Sequence, residues 1–317
     1  MLLVVVGAQG ATGRNSGGIV GSVRWVYGAF VAQRLGMDHI GPFLYTGLRF
    51  LVGALTVLPL IWLLRKPAKP DTPPRLSKPM LLGSLALGCV LTIGINLQQI
   101  GLMFTTVTNS GFITGLYVIL VPVFGLFIGM RTHKGTWAGA LLALVGMVLL
   151  SVGPGFKVAS GDWLQLVGAG FWAAHVLMVG ALASRYDAIL VSFIQFVVCA
   201  VVSLVLAFIF EPIQLPMIQQ ALPAILYAGV LAVGVAFTLQ VVAQKDAITS
   251  HAAIILSLEA VFAALAGWLI LGETLSPRGL LGCALMLGGM LTAQLIPIYL
   301  ERRKQPVPVQ QEPAGHH

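Results

Sequence analysis

Long runs of apolar residues alternate with short polar breaks along almost the whole chain. The breaks contain Pro, Gly or charged residues, and each run approaches the ~20 residues that a helix needs to cross the hydrocarbon core of a bilayer. The pattern therefore predicts ten membrane-spanning helices. Their predicted bounds are 17–35, 42–64, 80–103, 107–129, 136–153, 163–183, 188–210, 221–243, 249–271 and 279–299.

A repeated pattern divides these helices into two sets of five. The letters G-x-x-L-x-L-x-G-M occur at 139–147 and again at 282–290, and 282 − 139 gives an interval of 143 positions. The pair Arg49-Phe50 falls on Gln195-Phe196 at a similar interval. Because five is odd, the second set must enter the membrane from the opposite side. Inverted repeats of this kind are typical of secondary transporters, whose substrate site lies near the bilayer midplane between the repeats.

The repeat and the flanking composition together predict the domain organisation. Residues 1–16 form an N-terminal segment to which no element is assigned, and the polar, Pro-rich residues 300–317 form a disordered cytoplasmic tail. Residues 17–153 form the first five-helix repeat, and residues 163–299 form the second, inverted one. The predicted fold class is therefore an all-α integral membrane protein of ten transmembrane helices in two inverted repeats.

Composition agrees with a membrane protein and also predicts its orientation. Hydrophobic residues make up 58% of the chain and charged residues 9%, whereas soluble domains carry about 25% charged residues. The predicted topology places four of the 18 Lys and Arg residues on one side and the remaining 14 on the side of both termini. By the positive-inside rule both termini are cytoplasmic, and the net charge of +8 does not indicate nucleic-acid binding. The four are Arg34, Arg49, Lys157 and Arg278.

One acidic residue, Glu259, interrupts the ninth apolar run. A carboxylate within a spanning helix costs on the order of 2.5–3.5 kcal/mol, so it normally faces a protein interior or a wet cavity. Glu259 is therefore a candidate for coupling a proton to substrate movement. The alternative is a structural acid that bonds two helices together.

Three stretches carry a resemblance to a known family. They are G-P-F-L-Y-T-G-L-R-F at 41–50, T-N-S-G-F-I-T-G-L-Y-V-I-L-V-P at 108–122 and S-L-E-A-V-F-A-A-L-A-G-W-L-I-L-G-E at 257–273. With the ten-helix plan, residues 17–297 resemble the drug/metabolite transporter superfamily, EamA type. The resemblance implies a permease of the bacterial inner membrane, often an exporter of amino acids or other small metabolites. Two positions depart from the family pattern: Ala260 replaces a usual Pro, and Met130 stands where the second repeat has Glu273.

Polar side chains inside the predicted helices are the candidates for binding substrate. Arg49 is suited to a carboxylate, or it extends to the membrane interface. Asn96 and Gln99 share a helix face and either line a wet cavity or bond between helices. His175 either relays protons or is packed and hydrogen-bonded. The full set of predicted substrate-binding residues is Arg49, Asn96, Gln99, Thr114, Tyr117, His175, Gln195 and Gln240, and the predicted proton-coupling residues are Glu259 and His175.

These features favour a secondary transporter that exports small metabolites such as amino acids by alternating access. A proton gradient is one possible energy source for this transport. A flippase for a lipid-linked carrier and an uncoupled, facilitative permease remain alternatives. The sequence has no His-Glu-x-x-His pair, no Gly-x-Ser-x-Gly elbow and no P-loop, which argues against an enzyme. The predicted partners are a small-molecule substrate and the lipid bilayer, without cofactor, metal or nucleic acid. A monomer is compatible with the sequence.

Overall fold

The computed structural model describes residues 28–63, 76–127, 129, 134–151, 158–246, 260–261 and 263–304. These residues include part of each of the ten predicted helices. Helix α4 consists of two segments that meet at Leu116, and α8 has a π-helical middle, Tyr227–Phe237. The helices are α1 Gly28–Met37, α2 Pro42–Leu63, α3 Lys78–Gly101, α4 Val107–Phe127, α5 Lys134–Ser151, α6 Ser160–Ala183, α7 Ala188–Phe210, α8 Leu215–Asp246, α9 260–271 without 262, and α10 Pro277–Lys304.

The surface of this helical bundle is suited to lipid. Within the described residues, seven helices are long and apolar enough to cross a membrane, and Pro277–Ala293 adds a shorter apolar segment. Large apolar side chains face outward: Trp62 is 73% exposed, Phe208 81% and Phe127 85%. Such a surface is unfavourable in water but favourable against acyl chains. The chain is therefore an integral membrane protein, as its composition predicts.

Polar side chains next to the apolar runs fix where several helices begin. The first amides of a helix have no partner within the helix, and a side-chain oxygen satisfies one of them. Ser77 accepts a hydrogen bond from the amide of Met80 at the start of α3, and Thr106 accepts one from Asn109 at the start of α4. Asp187 does the same for α7.

The repeated glycines let α5 and α10 pack closely and antiparallel. A Cβ atom built on Gly289 would lie 2.5 Å from the carbonyl oxygen of Gly139, and one on Gly282 would lie 2.7 Å from that of Gly146. Gly282 is the repeat equivalent of Gly139, and Gly289 is that of Gly146. If the two halves are exchanged, the contact of Gly289 with Gly139 therefore becomes the contact of Gly146 with Gly282. This crosswise pairing is the contact pattern of a twofold axis in the membrane plane.

Further helix pairs obey the same exchange. Helix α2 packs on its equivalent α7, as α5 does on α10. The α3/α6 pair corresponds to α8/α1, and the α3/α7 pair corresponds to α8/α2; all four contacts are present. The prediction of two inverted five-helix repeats is confirmed.

Several helix ends differ from their predicted positions. Helix α8 begins at Leu215, before the predicted 221, and α10 continues to Lys304, beyond the predicted 299. Gly129 lies four residues after Gly125, a spacing typical of packing glycines in membrane helices, but it has a φ of +82°, and a Cβ there would meet nothing within 4 Å. Its repeat equivalent Gly272 has a φ of +66°. Both glycines therefore serve turns that need the left-handed conformation.

Candidate functional site

A cluster of aromatic rings occupies the centre of the bundle, where α2 packs on α7. Phe50 and its repeat equivalent Phe196 meet edge to face, with ring centroids 5.8 Å apart. Phe237 of α8 lies 6.4 Å from Phe50 and 5.9 Å from Phe196. Edge-to-face pairs are the favourable geometry for aromatic rings. We call Phe50, Phe196, Phe237 and Trp172 the aromatic cluster; two groups of buried polar side chains contact it.

The first polar group centres on Arg49, which is only 3% exposed. Its Nη2 donates a hydrogen bond to Oε1 of Gln99 at 3.0 Å. Its Cζ lies 5.3 Å from the ring centre of Tyr45 and 5.5 Å from that of Phe50, within cation–π range. Nε of Arg49 and Nε2 of Gln99 have no hydrogen-bond partner among the described residues. The structure thus brings two predicted site residues together and leaves both with a free donor.

Asn96 lies one turn of α3 away from Gln99 and bonds toward α7. Its Nδ2 donates to the carbonyl oxygen of Thr92 at 2.8 Å and to Oγ of Ser203 at 2.9 Å. Its Oδ1 is buried without a partner in the described part of the chain. Asn96 therefore bonds between helices and keeps one acceptor available.

The second polar group contacts the Trp172 and Phe237 rings of the aromatic cluster. Nε2 of His175 donates to Oε1 of Gln195 at 2.8 Å, so two predicted site residues again form one pair. The imidazole also contacts the rings of Trp172 and Phe237, with centroid distances of 5.7 and 5.9 Å. Within the described residues, Nδ1 of His175, Nε2 of Gln195 and Nε1 of Trp172 are buried and unpaired.

Thr114 belongs to a closed hydrogen-bond network of three helices. It accepts from Nε2 of Gln98 and donates to Oε1 of Gln165, both at 3.1 Å. Nε2 of Gln165 then donates to the carbonyl oxygen of Gln98 at 2.8 Å. Gln165 is fully buried and was not among the predicted site residues, although an amide within an apolar run is the same signal that identified Gln99. Tyr117, one turn along α4, packs its ring 6.4 Å from that of Trp172.

Two carboxylates bind helix N-termini across the interface between the halves. Glu211, at the end of α7, accepts hydrogen bonds from the amides of Phe43 and Leu44, both at 2.8 Å. Glu273, just after α9, accepts from the amide of Val107 at 2.7 Å, and from the amide and hydroxyl of Thr108 at 3.0 and 2.8 Å. Each carboxylate thereby satisfies unpaired amides and the positive end of a helix dipole.

A third acid works at the same end of the bundle. Asp162 of α6 accepts from the hydroxyl of Thr105 at 2.5 Å and from Nδ2 of Asn109 at 3.3 Å. All three acids belong to the second half, and all their partners named here belong to the first. We call the end where these contacts lie the carboxylate end. Contacts of this kind hold the two halves together there.

Two residues of the predicted site do not fall into these groups. Gln240 is buried on α8 with Oε1 unpaired in the described part of the chain, and no hydrogen bond joins it to Asn96 or Gln99 there. Glu259 lies outside the described residues, so its role stays a prediction.

Comparison with known proteins identifies the family. The sequence profile of the EamA-like transporter family matches residues 16–152 and again residues 159–293. An uncharacterized transporter of Archaeoglobus fulgidus is 29% identical over 269 residues, covering 84% of this chain and 81% of the relative. The uncharacterized transporter YoaV of Bacillus subtilis is 26% identical over 275 residues, covering 84% of this chain and 91% of the relative. A solved crystal structure has the same fold, with a TM-score of 0.65 at 22% identity, covering 88% of this chain and 96% of its own.

Proposed function

Because the chain belongs to the EamA-like transporter family, we propose that it is a secondary transporter that exports a small metabolite by alternating access. The substrate binds beside the aromatic cluster, between the two halves. The halves rock about the twofold axis and expose this site first to one side of the membrane and then to the other. Such a mechanism suits two inverted repeats.

The observation that carries this proposal is the contact of Phe50 with Phe196. These repeat-equivalent residues meet at the interface of the halves. Their neighbours in sequence, Arg49 and Gln195, are both buried and polar and each keeps an unpaired nitrogen among the described residues. Buried donors without partners are costly. A bound solute would supply the missing acceptors.

The carboxylate end supplies the contacts that a rocking motion would break and remake. Opening that end requires Glu211 and Glu273 to release the amides of α2 and α4. These bonds join the end of one element to the end of another, so they can separate without disturbing the helices themselves. In this proposal the hydrogen bonds hold this end closed, and their release exposes the path to the aromatic cluster.

Proton coupling rests on Glu259 in this proposal. It is an acid within the apolar run 249–271, and a carboxyl group that gains and loses a proton inside a transporter couples a gradient to the substrate cycle. His175 contacts Gln195 and aromatic rings, which supports a role in lining the site. The distribution of Lys and Arg supports a bacterial inner membrane topology with both termini in the cytoplasm.

Flux measurements on the purified protein in proteoliposomes test the proposal. Vesicles are loaded with a panel of amino acids and related metabolites, and their movement is followed with and without an imposed pH gradient. We expect at least one solute to be concentrated only while the gradient is present. Flux that merely equilibrates would replace coupled transport by facilitated transport, and no flux of any soluble solute would favour a lipid-linked carrier as the substrate.

A further inference from the structure

We propose that the substrate is an organic monoanion with a flat apolar body, and that Arg49 and Gln99 bind its carboxylate. The inference rests on the proposed function, because it names the substrate class of the same site. It follows from the charge, the free hydrogen-bond donors and the aromatic surface that the described residues place together.

The charge on Arg49 has no carboxylate partner in the described part of the chain. Its guanidinium contacts the amide oxygen of Gln99 and the faces of Tyr45 and Phe50. An amide oxygen and two ring faces offset the cost of burying a cation only in part, whereas a carboxylate would offset much more of it. A site that keeps a buried arginine beside such neutral partners is suited to an anionic ligand.

The free hydrogen-bonding groups of Arg49 and Gln99 themselves are donors. Nε of Arg49 and Nε2 of Gln99 are both buried and unpaired within the described residues, and the two side chains are already joined through Nη2 and Oε1. A carboxylate has two oxygens that accept several hydrogen bonds and matches the planar edge of a guanidinium. A ligand cation would find no matching acceptor on these two atoms.

The surface next to these donors is aromatic. Phe50 lies against the guanidinium, Phe196 and Phe237 contact Phe50, and Trp172 lies 5.6 Å from Phe237. Rings that meet edge to face offer flat apolar surfaces to a third ring or to a planar alkyl group. The described cluster holds a single arginine beside these rings and no lysine, which favours one negative charge on the ligand over two.

Binding of three matched compounds to the wild-type protein tests this inference without any variant. The compounds are 3-phenylpropanoate, its neutral amide 3-phenylpropanamide, and propanoate, which lacks the ring. Equilibrium binding is measured in detergent, because the protonated acid crosses liposomes unaided. We expect the amide and propanoate each to bind at least about tenfold more weakly than 3-phenylpropanoate. A tenfold difference corresponds to about 1.4 kcal/mol of binding free energy for each compound.

Substitutions then locate the carboxylate. We expect Arg49→Gln to weaken 3-phenylpropanoate binding by about 10- to 100-fold, as for loss of a charge-assisted bond. Arg49→Lys keeps the charge but loses the planar fork, so about a tenfold loss is expected. Arg34→Gln is the matched control, since Arg34 donates to the carbonyl oxygen of Leu102 and lies outside the cluster; its binding should equal the wild type. Size-exclusion profiles show whether each variant is folded.

Two results would overturn the inference. One is equal binding of the acid and its amide by the wild-type protein. The other is undiminished binding of 3-phenylpropanoate by folded Arg49→Gln. Neither would refute the proposed transport function, because the flux panel contains neutral and zwitterionic solutes whose gradient-driven movement is measured separately. Failure of the whole panel with intact anion binding would count against metabolite export while leaving the anion site in place.

Discussion

Phe50 and Phe196 stand at equivalent positions in the two halves of the chain and meet edge to face, with their ring planes at 63°. A residue that contacts its own repeat equivalent lies at the twofold axis that relates the halves. The contact therefore lies where the two halves must move least relative to each other. Buried Arg49 and Gln195 precede these two rings, so polar groups flank the axis on both halves.

The Phe50 contact with Phe196 predicts an energetic coupling between the two side chains. An aromatic pair contributes ~0.5–1.5 kcal/mol beyond its buried area, so Phe50→Leu and Phe196→Leu should be non-additive by about that amount. A double-mutant cycle on unfolding in detergent measures it. The control cycle combines Phe50→Leu with Phe112→Leu, because Phe112 lies in a different apolar cluster. Additive effects in both cycles would mean that the ring contact is not formed in the membrane protein.

The crossing of α5 and α10 predicts opposite outcomes at two adjacent glycines. Gly289→Ala would place a methyl group 2.5 Å from the carbonyl oxygen of Gly139, and relieving such a clash costs roughly 1–3 kcal/mol. Gly288→Ala meets only a side-chain carbon of Leu142 at 3.7 Å and should leave stability unchanged or slightly higher. Thermal unfolding in detergent compares them. Equal melting temperatures for the two variants would contradict the packing described here.

The carboxylate end predicts that removing one negative charge is costly there. Glu273→Gln keeps the shape but replaces an accepting oxygen by an amide NH2 group that can only donate, so at least one of the three hydrogen bonds to Val107 and Thr108 is lost. A bond to a charged group contributes ~1.5–3 kcal/mol. Denaturation in detergent should show a loss of this size. Asp38→Asn, an exposed acid in the α1–α2 loop, is the control and should have little effect. Equal losses in both variants would point to net charge instead of capping.

Proton coupling through Glu259 predicts a separation of two transport modes. Glu259→Gln should abolish accumulation of solute against its gradient and leave solute exchange, since a permanently neutral side chain cannot carry a proton. His175→Gln should slow accumulation and exchange alike, because the imidazole contacts Gln195 and an aromatic ring of the proposed site and its loss changes binding in both modes. Both modes are measured in proteoliposomes. Unchanged accumulation in Glu259→Gln would show that this residue does not couple the proton.

The sequence predicted the symmetry of the fold because the same glycine positions recur in both halves of the chain. Gly139, Gly146, Gly282 and Gly289 repeat at one interval, and only residues without a side chain allow the approach of α5 to α10. The correspondence of Arg49-Phe50 with Gln195-Phe196 was likewise visible. That Phe50 and Phe196 touch was not, because the pattern places equivalent residues in equivalent environments but does not give their separation.

The contacts of the carboxylate end could not be predicted in the same way. Glu211 binds amides 167 and 168 positions away, and Glu273 binds amides 165 and 166 positions away. Every residue except proline has a backbone amide N–H, so the sequence does not indicate which amides a carboxylate will bind. The sequence aligns Glu273 with Met130 of the first half but gives no sign that its carboxylate binds the N-terminus of α4. Gln165 differs, because it lies within a predicted helix, and an amide within an apolar run is visible in the sequence in the same way as Gln99.

Alternating access is tested most directly by labelling both ends of the bundle in one experiment. With Cys89, Cys199 and Cys283 replaced, a single cysteine is placed either at Val107, buried under Glu273, or at Ala183, buried at the opposite end. A membrane-impermeant maleimide then reports access in proteoliposomes of defined orientation. Combining Glu211→Gln with Glu273→Gln should raise labelling at 107 severalfold and lower it at 183. Labelling that rises at both positions, or at neither, would contradict the account.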